Sequence, residues 1–202
     1  MKRRFVGVVD YGAGNLANIA NCLSSLGFKV QISNSAERLA AFDALVLPGV
    51  GAFPGAMMSL KKASLDYFIV QAVKNGKPLV GICLGMQLLA TYSDEFGGSH
   101  GLNLIPGSVE RLQSEQSHIG WNYVESRGEM KTRLQFCRHF YFNHSFHLKV
   151  PDPYIIGVTD SDGRVVSAVS KDNIVGFQFH PEKSQLAGKL VLKQALDDLL
   201  HA

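Results

Sequence analysis

Apolar residues in this chain gather into short runs separated by amphipathic stretches, and that alternation predicts the order of its elements. Phe5-Val6-Gly7-Val8-Val9 is an apolar run flanked by charge, the pattern of a buried strand. Asp10-Tyr11-Gly12-Ala13-Gly14-Asn15 reads as a turn and cap, and Leu16 to Leu26 as a helix closed by Gly27. Val30-Gln31-Ile32 and Ala44-Leu45-Val46-Leu47 give two more strands. The second is broken by Pro48-Gly49-Val50-Gly51, after which a helical region runs to about Asn75-Gly76. Pro78-Leu79-Val80 leads into a fourth strand, followed by a helical stretch from Met86 to Tyr92. Strands alternating with helices at this spacing predict a parallel sheet covered on both faces. Sites on such sheets lie beyond the carboxyl ends of the strands.

The pattern changes after Tyr92. Short β-like segments occupy Val109 to Leu112, Gly120 to Val124, His139 to Leu148, Tyr154 to Thr159 and Val165 to Ser170, an antiparallel extension. The chain returns through Ile174 to Phe179. It ends in a helix over about Ser184 to Leu200, with Leu192, Leu196, Leu199 and Leu200 on one stripe and Leu186 and Leu190 toward its edge. No linker-like segment interrupts it, so residues 1–202 are expected to form a single domain with an α/β, mostly parallel sheet flanked by helices.

Composition narrows the function classes. The net charge of +3 is spread without a long basic run, which argues against nucleic acid and against a membrane surface. Met1-Lys2-Arg3-Arg4 starts like a signal peptide, but the apolar run after it stops at Asp10, short of the ~7–15 residues a secretory core needs. No stretch approaches the ~20 apolar residues of a membrane span, so a cytoplasmic protein is expected. Three widely spaced cysteines, Cys22, Cys83 and Cys137, suit reduced thiols better than disulfides or a metal knuckle.

One of them carries chemistry. Cys83 sits at the centre of Gly81-Ile82-Cys83-Leu84-Gly85, between an apolar strand and a helix. A strand that reverses sharply into a helix strains its central residue and leaves no room for flanking side chains, which explains the glycines. The helix start behind the thiol favours a thiolate and, later, an oxyanion. Such a thiol needs a base, and the strand Val175 to Phe179 ends at His180-Pro181-Glu182. Glu182 is spaced to hold the His180 imidazole in the tautomer that accepts the thiol's proton. Pro48-Gly49-Val50-Gly51 and the backbone N–H of Leu84 are placed to act as oxyanion donors. Each motif alone has a plain alternative: a buried hydrophobic Cys, an ordinary loop, a turn. Their joint occurrence at strand ends favours catalysis. His139, His144 and His147 invite a metal site, but no completing ligand stands at recognisable spacing, so no metal is expected. The Asp10 to Asn15 turn lacks the third glycine of a dinucleotide loop. Cys22 reads as core and Cys137 as structural.

Gly81-Ile82-Cys83-Leu84-Gly85-Met86-Gln87 with Phe179-His180-Pro181-Glu182 resembles the Cys-His-Glu signature of class I glutamine amidotransferases. Five segments are similar, more narrowly, to the glutaminase subunits of imidazole glycerol phosphate synthase. They are Asp10 to Leu16, Leu47 to Phe53, His118-Ile119-Gly120-Trp121-Asn122, Tyr141 to Ser145 and His180 to Ser184. The resemblance spans nearly the whole chain. It implies a flavodoxin-like sheet and hydrolysis of L-glutamine through a glutamyl thioester on Cys83, with His180 as base and acid and Glu182 as orienter. It implies substrate contacts from Gly49, Val50 and Gly51, from the side chain of Gln87, and from backbone groups of His144-Ser145-Phe146. It also implies no cofactor and a heterodimer in which ammonia passes to a (β/α)8-barrel synthase that activates the glutaminase. Asn15, Trp121 and Lys183 match partner-facing positions. Without the resemblance they read as a helix cap, a core aromatic and a solvated charge.

Two segments depart from the family pattern. Ser117 replaces the usual Pro, and Asn143 and Phe146 replace the usual Val and Tyr. Neither change falls on the triad positions. They leave open a paralogue that supplies ammonia to a sugar-modifying enzyme of surface polysaccharide synthesis. A Cys peptidase or γ-glutamyl hydrolase, and a non-catalytic interaction subunit, are the other readings of these residues.

Overall fold

The computed structural model describes residues 4–113, 116–127, 138–161 and 163–201. Met1, Lys2, Arg3 and Cys137 fall outside the described residues. The elements follow in chain order. β1 is Phe5–Val9, α1 Leu16–Ser25, β2 Lys29–Ser33, α2 Ala36–Ala40 and β3 Ala44–Leu47. α3 is Phe53–Lys62, α4 Leu65–Lys74, β4 Leu79–Ile82 and α5 Leu84–Gln87. β5 is Tyr92–Ser93, β6 Ser99–His100, β7 Ser108–Arg111, β8 His118–Ser126 and β9 Arg138–His144. β10 is Phe146–Lys149, β11 Ile155–Asp160, β12 Arg164–Lys171, β13 Ile174–Phe177 and α6 Gln185–His201.

One sheet of nine strands runs in the order β2-β1-β3-β4-β13-β12-β11-β8-β9. Its first five strands are parallel and the rest antiparallel, as the change of pattern after Tyr92 predicts. The order of the parallel half is flavodoxin-like. A smaller sheet, β10-β7-β5-β6, sits apart. The central strands β3, β4 and β13 are buried along their whole length, which is why they read as continuous apolar runs. Alternate residues face opposite layers: Leu45 and Leu47 pack with Phe53, Leu60 and Ile69 of α3 and α4, whereas Ala44 and Val46 pack with Ile19 and Leu23 of α1 and Leu192 and Leu196 of α6.

Three local outcomes differ from the sequence pattern. The helix expected from Met86 to Tyr92 ends at Gln87, and Tyr92 lies in β5. The carbonyls of Leu88, Leu89 and Ala90 accept N–H groups of residues 102–105 from a distant loop, so tertiary bonds replace the helical ones. The segment His139 to Leu148 breaks at Ser145, and its halves join different sheets. Helix α2, capped by the Ser35 hydroxyl accepting from the Arg38 N–H, is too short to show a period. In α6 the apolar stripe is completed by Val191 and Ala195, and Leu186 and Leu190 are exposed.

Gly85 shows how tightly the turn after β4 is packed. A Cβ there would collide with the Leu47 carbonyl. Gly85→Ala is therefore expected to lower stability by at least ~2 kcal/mol, read as a drop of several degrees in Tm. An unchanged Tm would show that β3 can move away from the turn.

Candidate active site

Three neighbouring strand ends build the site. Ile82 of β4 lies opposite Phe177 of β13, and the Cys83 N–H donates to the Phe177 carbonyl at 2.7 Å. Cys83 itself has φ 54° and ψ −113°, a left-handed conformation that a side chain rarely adopts and that turns the thiol out of the strand end. The Leu84 N–H opens α5 and has no intrahelical acceptor by position. On the other flank Leu47 of β3 pairs with Gly81, which delivers Pro48 to Gly51 beside this turn. A Cβ on Gly49 would lie 2.7 Å from the Tyr11 hydroxyl and 2.8 Å from the Gly85 nitrogen, so only glycine lets the segment rest there. The buried Tyr11 hydroxyl donates to the Pro48 carbonyl at 2.8 Å. Burial, then the charge of nearby Cys83, pushes this phenol far above its ordinary range, and it stays a donor.

β13 leads through Gln178 and Phe179 to His180. The His180 Nδ1–H donates to Glu182 Oε1 at 2.9 Å, and both side chains are buried. Burial favours the neutral imidazole. Hydrogen bonds to Cys83 and Glu182 and the charges of both outweigh it, and His180 is pushed up to about 9. The loop is stitched to β9. The His180 N–H donates to the Tyr141 carbonyl at 2.8 Å, and the Ser184 hydroxyl bridges the His180 carbonyl and the Tyr141 N–H at 2.7 and 2.9 Å. Cys83 Sγ also approaches the Asn143 carbonyl and the Gln178 amide, each at 3.9 Å.

Above Cys83 and His180 lies a cleft of about 250 Å³. Val50, Gly51, Leu84, Gln87, His144, Ser145 and Phe146 are among the residues that line it. Gly49 and Glu182 do not line the cleft: Gly49 packs against Leu84 and Gly85, and Glu182 reaches the site through its bond to His180. Gln87 Nε2 donates to the Phe146 carbonyl at 2.7 Å and to Gln178 Oε1 at 3.0 Å. His144 is held down to about 3, chiefly by burial and against its hydrogen bond to the Phe146 carbonyl, so it is neutral at ordinary pH. Lys183 reaches the rim with Nζ 5.6 Å from the Tyr141 ring centre. The Ser117 hydroxyl lies 2.6 Å from that of Ser145, which lines the cleft.

Two predicted positions lie outside the cleft. Asn15 occupies the cap position of α1, but its side chain accepts no capping hydrogen bond. Trp121 is 48% exposed and meets Tyr141 edge-on at 6.2 Å, which removes the core reading. Cys22 is buried in the layer between α1 and α6, and burial pushes its thiol up. Among the described residues no group of His, Cys, Asp or Glu is arranged to hold a metal ion, and no helix is long and apolar enough to cross a membrane.

The pattern reading missed two polar groups here. Gln178 is a fully buried polar residue in an apolar run, a legible signal. Glu95 comes from a one-turn helix, Glu95–Gly97, and is buried at the cleft with Oε2 accepting the Phe53 N–H at 2.7 Å. Nothing in its local sequence marks it.

A family profile described as "Glutamine amidotransferase class-I" matches residues 7–198. A Listeria innocua protein named "Imidazole glycerol phosphate synthase subunit HisH" is 40% identical over 191 residues, covering 92% of each chain. Proteins of the same name from Streptococcus gordonii and Streptococcus mutans are 41% and 40% identical, covering 93% and 94% of this chain and 93% and 97% of theirs. Among solved structures, one titled "Structure of PurLQS from Thermotoga maritima" aligns with a TM-score of 0.75 at 20% identity, covering 98% of this chain and 99% of that one. At that identity the likeness speaks for the fold. With the thiol, the imidazole and the carboxylate at the ends of β4 and β13 of this sheet, the chain belongs to the class I glutamine amidotransferases and, within them, to the family of HisH subunits.

Proposed function

We propose that this chain hydrolyses L-glutamine and delivers the ammonia to a (β/α)8-barrel synthase subunit that makes imidazole glycerol phosphate in histidine biosynthesis. The observation that carries the reading is the strained Cys83 beside a buried His180 raised to about 9 and bonded to Glu182 at 2.9 Å. The names of the 38–41% identical relatives support the histidine pathway over a polysaccharide one.

The Cys83 thiolate attacks the side-chain carboxamide carbon. The resulting oxyanion meets the Leu84 N–H and an N–H of the Gly49 to Gly51 segment, each worth on the order of 2.7–4 kcal/mol to such a transition state. His180 gives its proton to the departing nitrogen, ammonia leaves, and a glutamyl thioester remains. His180 then takes a proton from water, which hydrolyses the thioester and frees glutamate and the thiolate. Glu182 holds the imidazole in one tautomer throughout. In the cleft, Gln87 and the segment His144 to Phe146 position the substrate. Glu95 supplies the buried carboxylate that a substrate ammonium requires. Trp121, Asn15 and Lys183 are the residues assigned to partner contact, a reading that the exposure of Trp121 supports.

Cys83→Ala is expected to reduce glutamine-dependent turnover at least ~10³-fold while leaving partner binding and the reaction fed by free ammonium intact. Loss of both activities together would refute channelling. Because the pKa is raised, His180 keeps its proton until the pH approaches 9, and deprotonation above that removes the acid that ammonia needs. The value of kcat/KM for glutamine should therefore fall above about pH 9. A fall centred near the ordinary 6.5 would show that Cys83 and Glu182 do not hold the proton. Glu95→Gln keeps an acceptor for the Phe53 N–H but removes the charge. It should raise KM for glutamine roughly 10–100-fold with little change in Tm, and an unchanged KM would exclude Glu95 from substrate binding.

A further inference from the structure

The position of every proton in a polar chain beside the cleft follows from its two ends. At one end the His144 Nδ1 lies 2.9 Å from the Phe146 carbonyl oxygen. A carbonyl only accepts, so Nδ1 carries the hydrogen. A neutral imidazole then has a bare Nε2, and this atom lies 3.0 Å from Nδ1 of His118, which must donate. His118 Nε2 is in turn an acceptor, and it faces Asn122 Nδ2 at 3.3 Å. The other end agrees. Asn122 Oδ1 accepts the backbone N–H of Tyr123 at 2.7 Å, which aims its amide nitrogen at His118. Burial lowers both imidazoles and keeps them uncharged, and His118 is fixed in place by stacking on Phe142 at 4.5 Å.

The chain ends on an atom the cleft depends on. The Phe146 carbonyl accepts from His144 and also from Gln87, whose amide continues to Gln178 and so toward Cys83 Sγ. His118 does not line the cleft. It sits at the start of β8 and reaches the cleft through His144, its partner on β9.

We propose that His118 is a positioning residue of the substrate site: by donating to His144 Nε2 it anchors the ring and reinforces the Nδ1–H tautomer that the Phe146 carbonyl selects, which fixes that carbonyl and the Gln87 side chain hydrogen-bonded to it. Asn122 orients His118 in the same way. The inference rests on the reading of this cleft as the glutamine site. With His118 removed, His144 Nε2 loses its donor, only the Phe146 carbonyl then opposes the Nε2–H tautomer, and the bond from His144 to that carbonyl is weakened.

The test is proton–nitrogen NMR of the imidazoles together with glutaminase kinetics of the complex with the barrel partner. In the wild-type chain both His118 and His144 should show the Nδ1–H tautomer, a readout that needs no variant; an Nε2–H tautomer on His144 overturns the proposal. His118→Leu should let a measurable Nε2–H population appear on His144 and raise KM for glutamine about tenfold with kcat within about twofold. His118→Asn, whose amide nitrogen can stand where Nδ1 stood, should restore both. Wild-type KM in His118→Leu, or an equally raised KM in His118→Asn with the tautomer intact, would refute the role. Absence of any glutamine turnover by the wild-type complex would instead overturn the functional reading and leave the tautomer result standing.

Discussion

The site depends on one backbone pairing, the parallel register between β4 and β13. Ile82 lies opposite Phe177, and the Cys83 N–H is held by the Phe177 carbonyl. Side chains alternate along a strand, so this register decides which residues past Phe177 face the sulfur. Gln178 and His180 do, while Phe179 is buried against Phe140 and Phe177. A slip by one position would present a phenyl ring to the thiol and bury the imidazole among aromatics. The fully apolar central strands guard against that slip, because every residue of β4 and β13 is packed from both faces.

Two buried histidines near the cleft have opposite electrostatic fates, and their partners explain it. His180 faces a thiol and a carboxylate, which outweigh its desolvation and hold a proton to about 9. His144 faces a carbonyl and another neutral imidazole, and desolvation takes it down to about 3. A group of one chemical type thus serves as a proton carrier in one place and as a rigid hydrogen-bond relay in the other. The Phe146 carbonyl accepts from His144 on one side and from Gln87 on the other.

The segment Pro48 to Gly51 is constrained unevenly. Pro48 and Gly49 are buried, clamped by the Tyr11 hydroxyl and by contact with Leu84 and Gly85. Val50 and Gly51 are exposed at the mouth of the cleft. The same few residues therefore combine a fixed footing with a peptide that meets solvent at the cleft, and Trp121 stands exposed on β8 of the nine-stranded sheet.

Local pattern alone was enough for the parallel half of the fold. Continuous apolar runs with glycine-bearing ends mark β1, β3 and β4, and the periodic helix Leu16–Ser25 between them requires a crossover. The turn at Cys83 and the His-Pro-Glu loop were legible for the same reason, since each pairs a strand end with residue types whose chemistry is specific. Where neighbours in space compete with neighbours in sequence, the pattern misleads. The helix after Cys83 stops early because residues 102–105 take its carbonyls, and the run His139 to Leu148 splits at Ser145 because its halves join separate sheets. Glu95 enters the cleft from a one-turn helix too short to carry a periodic signal, and the tautomers of His118 and His144 follow from a pairing of β8 with β9 that only the folded chain supplies. Chain connectivity dictates which elements form, but hydrogen bonds between distant strands decide which side chains meet.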